Sequence, residues 1–147
     1  MKSPRDFSSL IGNTEHSGVY HLPSSGRSSL LSAAETLGFA YFDIDLADAT
    51  ELDAPLSELG TVLGFPDWYG HNLDALHDCL TDFSWHEAPG YILVIRGADA
   101  LHADPEAFAS LNSVFSDTVD YWREAGVPFW VFYDIRANGL ATLPTVA

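Results

Sequence analysis

GFPDWYGHNLDALHDCLTDFSW, Gly64 to Trp85, is the stretch on which the reading of this chain turns. Gly70 offers a residue free to take a positive φ, and Asn72 is a good N-cap whose side-chain oxygen accepts from amides two or three residues on. The spacing predicts a helix over 72–83. At 100° per residue, Leu73, Leu76, Cys79, Leu80 and Phe83 fall on one side, while His71, Asp74, His77, Asp78 and Asp82 fall on the other. One face belongs to a core and the other is acidic.

Working outward, Leu52, Leu56, Leu59 and Leu63 share one face of a second helix within Thr50 to Leu63, closed by Gly64 and Pro66. Downstream, YILVI at Tyr91 to Ile95 is a continuous apolar run between Gly90 and Gly97, as expected of a central strand buried on both faces. FAYFDIDL, Phe39 to Leu46, alternates apolar and acidic residues as a strand does. Pro105 to Leu111 and Ser113 to Glu124 read as two helices, and Pro128 to Asp134 carries a last strand, FWVFY. Before the central stretch, Gly18 to Leu22 reads as a short strand and Ser28 to Gly38 as a helix. Strands alternating with helices imply an α/β fold with a largely parallel sheet and right-handed crossovers.

The chain has 147 residues, suited to one domain, with 47% hydrophobic and 13% aromatic residues for a core. Residues 1–17 are polar and turn-rich and read as a flexible lead-in; 18–136 read as the domain and 137–147 as a loose tail. The net charge of −15 disfavours nucleic acid as a partner, because that affinity rests largely on Lys and Arg. A basic protein is the natural counterpart. No Lys or Arg occurs between Arg27 and Arg96, a stretch that holds 12 of the 21 acidic residues. Such a run is ordinarily a solvated face.

Within it, Asp74, Asp78 and Asp82 form an i, i+4, i+8 row with no cation on the same helix. Each like-charged pair costs a helix roughly 0.2–0.5 kcal/mol, so the row is a candidate surface for a partner's Arg or Lys. Trp68, Tyr69, Phe83 and Trp85 flank it; aromatics beside a charged patch suit an interface, and Tyr69 and Phe83 fit a core equally well. Cys79 is the only cysteine, so an internal disulfide is excluded. The thiol lies on the apolar side, where a buried inert group is expected. No secretory signal or membrane span is legible, and a cytoplasmic location is expected.

PDWYGHNLDALHDCLTDF, Pro66 to Phe83, resembles the signature of the barstar family, small intracellular inhibitors of secreted microbial ribonucleases. The resemblance extends over roughly Phe39 to Tyr133 through YILVI and the closing REAGVPFWVFY. It implies a three-stranded parallel sheet packed with helices, here extended by the strand and helix of 18–38. It also implies an inhibitor without cofactor or metal, monomeric when free. The expected complex is 1:1 with a basic ribonuclease of the guanyl-specific type, whose active site the acidic helix and preceding loop would block. By that resemblance Asp78 takes the place of substrate phosphate, Asp74 is a second acidic contact, Trp68 the loop aromatic, and Gly70, Asn72 and Leu73 loop contacts.

His71, His77 and Phe83 depart from the best-known member, which has Glu, Trp and Trp there; alignment on Gly126 brings Tyr121, with Asp120 beside it, to a further contact position on the last helix. These departures bear on which enzyme is bound. The same acidic helix would serve an immunity or binding module against another basic nuclease toxin. A metal-dependent enzyme is the remaining alternative, disfavoured because His71 and His77 lie six residues apart where i, i+4 suits one metal.

Overall fold

The computed structural model describes residues 7–22, 26–46, 49–67, 69–102 and 104–134. Four strands, β1 (Val19–His21), β2 (Ala40–Asp45), β3 (Tyr91–Arg96) and β4 (Phe129–Tyr133), form one sheet in the order β1-β4-β3-β2 with every pair parallel. The expected α/β architecture is therefore present. The N-terminal strand lengthens the sheet at the β4 edge, with Val19 opposite Val131 and His21 opposite Tyr133.

That addition makes β4 an interior strand like β3, and both are buried on two faces, which is why each is an apolar run. On one face, Phe42, Ile44, Leu93, Ile95 and Val131 meet the helices α3 (Asp53–Leu63), α4 (Leu73–Leu80) and α6 (Pro105–Glu124). On the other, Ile92, Val94, Trp130 and Phe132 meet Ile11 of α1 (Phe7–Ile11) and Leu30, Ala33 and Ala34 of α2 (Arg27–Leu37). Each buried Leu, Ile or Phe contributes roughly 1.5–3 kcal/mol, so neither layer is dispensable.

Two expectations are corrected. Residues 7–17 are not a loose lead-in: α1 and a 3-10 turn at Thr14–His16 occupy them, Ile11 is fully buried, and its carbonyl accepts from Trp130 Nε1 at 2.9 Å. Residues 105–124 are one helix rather than two, because Phe108, Leu111, Phe115, Thr118 and Val119 keep an uninterrupted helical face across Asn112. Tertiary burial outweighs the modest local preference of Asn for leaving a helix. A short α5 (Asp99–His102), unforeseen in the sequence, precedes it. The tail expected at 137–147 lies outside the described residues.

An ion pair and a hydrogen bond join the N-terminal addition to the rest. Asp43 on β2 accepts from Arg27 at 2.8 Å and from Arg96 at 2.5 Å, and Arg123 on α6 donates to the Ser17 carbonyl at 2.5 Å. Among the described residues, no helix is long and apolar enough to cross a membrane.

Candidate functional site: the acidic ridge of α4

The chain turns sharply between α3 and α4. Gly64 caps α3 at φ 69, a left-handed conformation that glycine adopts without steric cost. Tyr69 then folds back over α3, its hydroxyl donating to the Leu56 carbonyl at 2.9 Å. A Cβ at Gly60 would lie 2.8 Å from that ring, so glycine is required there by close approach. Burial pushes the Tyr69 phenol well above its ordinary range. Tyr69 is thus a core residue, and it supports the loop from below.

His71, and not Gly70, takes the left-handed backbone, at φ 54. Its ring meets Tyr69 edge-on at 4.8 Å. What Gly70 permits is proximity, since a Cβ there would sit 3.2 Å from Asn72 Nδ2. Asn72 is the expected N-cap: it is extended at φ −132 and its side chain accepts from the Ala75 amide at 2.7 Å.

From this cap α4 projects its acids outward. Asp74 and Asp78 are exposed one turn apart, Leu73 and His77 are half-buried, and Leu76, Cys79 and Leu80 are buried. Asp74 lies in the first turn, where the helix dipole favours it by about 0.3–1 kcal/mol. That offsets the roughly 0.2–0.5 kcal/mol repulsion from Asp78. Holding the pair costs α4 little.

The row does not extend to Asp82. The helix stops at Leu80, and Asp82 lies in the following turn, its Oδ1 accepting from the Ser84 amide at 3.3 Å. Thr81 donates to the His77 carbonyl and Trp122 Nε1 to the Leu80 carbonyl at 2.7 Å, which satisfies the helix end. Phe83, which the sequence allows either as a contact flanking the acidic face or as core, has φ 51 and is fully buried, stacked on Tyr91 at 4.6 Å. Because the helix ends three residues earlier, the left-handed turn drives this ring beneath the sheet-facing side.

Tyr121 on α6 is 49% exposed and stands edge-on to Trp122. Asp120 is ion-paired with Arg123 at 2.8 Å. The acid on α6 that borders the same depression as Asp74, His77 and Asp78 is Asp117, one turn before Tyr121. The sequence reading missed it; the signal was available as the Val114, Asp117, Tyr121 stripe beside the buried face of α6. Trp68 lies outside the described residues.

The described arginines are engaged away from this ridge. Among the described residues, Arg27 and Arg96 are engaged with Asp43, and Arg123 with Asp120 and Ser17. Asp74 and Asp78 are therefore free to meet an external positive group. Also among the described residues, no group of three or more His, Cys, Asp or Glu side chains converges as a metal site.

Cys79 packs behind the ridge, fully buried. Burial, with the nearby Asp78 and Asp82 carboxylates, pushes its thiol from 9.0 up to about 11. An unfolded chain would ionise this thiol first as pH rises, so it binds fewer protons than the folded one above about pH 9, and stability falls toward pH 11. Cys79 is expected to react with a disulfide reagent in denaturant and to stay unmodified for hours natively at pH 8. Rapid native labelling would contradict its placement.

The sequence matches the family described as Barstar (barnase inhibitor) over residues 39–134. A stretch of 46 residues is 46% identical to "Putative ribonuclease inhibitor YrdF" of Bacillus subtilis (strain 168), covering 31% of this chain and 48% of that protein. The family match takes in β2, α3, the acidic helix α4, β3, α5, α6 and β4, and leaves α1, β1 and α2 outside it. The chain belongs to the barstar family.

Proposed function

We propose that this protein inhibits a microbial ribonuclease of the guanyl-specific type by seating the α4 ridge and the loop before it in the enzyme's active site. It acts as a stoichiometric 1:1 binder without cofactor or catalytic activity of its own, monomeric when free and resident in the cytoplasm. One observation supports this reading above the others: Asp74 and Asp78 stand exposed, one helical turn apart, with every described arginine engaged elsewhere. A carboxylate accepts charge-assisted, even bidentate, bonds from guanidinium much as a phosphate does. Asp78 takes the phosphate position, Asp74 supports it, and Gly70, His71, Asn72, Leu73 and His77 complete the contact, with Trp68 and Tyr121 at its margins.

The surplus acids elsewhere supply the field that draws a basic enzyme in. Barnase with barstar, the inhibitor whose family this is, is the precedent for such steering. The test is RNA cleavage by barnase and related secreted ribonucleases with the protein titrated in. Cleavage is expected to stop at one equivalent for at least one enzyme. Full cleavage at micromolar excess across the panel would overturn the proposal.

A further inference from the structure

Two histidines border the flanks of the ridge. His71 is exposed in the loop before α4, its ring edge-on to Tyr69 at 4.8 Å. It lines one depression of about 860 Å³ with Asp53 of α3 and Asp74 and Asp78 of α4, and another of about 460 Å³ with Asp67 and Tyr69. His77, half-buried on α4, lines a depression of about 520 Å³ with Asp74, Asp78 and, from α6, Val114 and Asp117. The titratable neighbours of His71 are thus Asp53, Asp67, Tyr69, Asp74 and Asp78, and those of His77 are Asp74, Asp78 and Asp117. No described arginine lines any of the three depressions.

Histidine is the side chain that changes charge between about pH 5 and 8. In the free protein a charged ring at either position has water and several carboxylates around it. In the proposed complex the enzyme's cations would engage those carboxylates and the water would be displaced. A charged ring would then face like charges in a desolvated contact, which opposes association. A neutral ring meets no such repulsion, and its unprotonated nitrogen can accept from a donor on the enzyme. The complex therefore binds fewer protons than its separated parts, and by linkage affinity falls as pH falls.

We propose that His71 and His77 form a proton-operated release on the binding face: with both rings neutral the ridge holds its cationic partner, and with both rings charged it lets that partner go. The identity of the partner as a ribonuclease rests on the function proposed above. The switch adds to it a condition, neutral pH, under which inhibition is tight.

The experiment measures Kd from about pH 7.5 to about pH 5.5, a range centred on histidine titration, against a catalytically inactivated form of whichever panel ribonuclease the protein inhibits, starting with barnase. The wild type is compared with the double variant His71→Asn, His77→Gln. Asn is chosen at 71 because it tolerates the left-handed backbone there, and Gln at 77 because it suits a helix interior. The enzyme's own titrating groups move both curves alike, so the difference in slope belongs to these two rings. Across the range the wild-type Kd is expected to rise about 10- to 100-fold more than that of the double variant, or about tenfold for each ring that the complex keeps neutral. His16→Gln, exposed on the 3-10 turn of the N-terminal addition, is expected to keep the wild-type slope. In the wild type itself, NMR should show the ring resonances of His71 and His77 titrating in the free protein and holding their neutral positions in the complex. Equal slopes for wild type and double variant, a slope lost equally in His16→Gln, or rings that titrate alike free and bound would overturn the switch. Tight binding at about pH 7.5 would then leave the ribonuclease reading standing. No binding at that pH to any enzyme of the panel would bring down both.

Discussion

Replacing Asp78 with alanine is expected to weaken binding to the target ribonuclease by roughly 2–5 kcal/mol, which is about 30- to 4,000-fold in Kd. The size follows from what the substitution leaves behind. In the proposed complex the carboxylate would be desolvated against the enzyme's cations, and removing it would strand those charges without a partner in a site closed to water. Barnase and barstar supply the precedent for losses of this order. Most of the loss should appear as faster dissociation. Asp74→Ala should cost less. The fold should survive both substitutions, since neither side chain is buried and Asn72 still caps the helix. Unchanged melting together with unchanged affinity for Asp78→Ala would place the contact elsewhere.

On the opposite side of the sheet, Trp130→Ala is expected to lower stability by roughly 3–5 kcal/mol, measured as a shift in urea midpoint. Trp130 is fully buried on β4, stacks on Tyr20 at 5.3 Å and on Phe132 at 5.8 Å, and donates from Nε1 to the Ile11 carbonyl. Truncation leaves a large cavity and an unsatisfied carbonyl together. All these partners except Phe132 come from residues 11–20, outside the stretch matched to the family. The large loss therefore tests whether that N-terminal addition is integral to the core. The remaining folded protein should bind its target as before, because α4 packs on the other face. A loss below about 1 kcal/mol would show the second layer to be loosely held.

The parts of the fold legible in the sequence were those where local pattern and tertiary environment agree. β3 reads as a buried parallel strand because it is apolar throughout and lies between two strands and two helical layers. α4 reads correctly because cap, periodicity and burial coincide over Asn72 to Leu80. The end of α4 did not, since continued apolar spacing suggested a helix to Phe83. Only packing shows that Thr81 closes it and that a left-handed turn folds Phe83 inward. Asn112 misled in the opposite sense, a polar residue inside a helix held by its buried face.

The site divides along the same line. Asp74 and Asp78 were legible as a row on one helix, a purely local relation. Asp53 and Asp117 were not, because they reach the ridge from α3 and α6, and only the folded chain brings the three helices around common depressions. His71 carries the left-handed backbone that the sequence would assign to its glycine neighbour. There, composition is a weaker guide than the ring contact with Tyr69 and the demands of the following cap.

The central claim is that α4 occupies the place of substrate phosphate. It is tested most directly by measuring the affinity of the protein for an inhibited ribonuclease while a guanosine mononucleotide is titrated into the enzyme's active site. Direct competition is expected: the apparent Kd should rise in proportion to nucleotide concentration once the nucleotide saturates the enzyme. An affinity that stays constant under saturating nucleotide would show that the protein binds away from the phosphate site and would contradict the account.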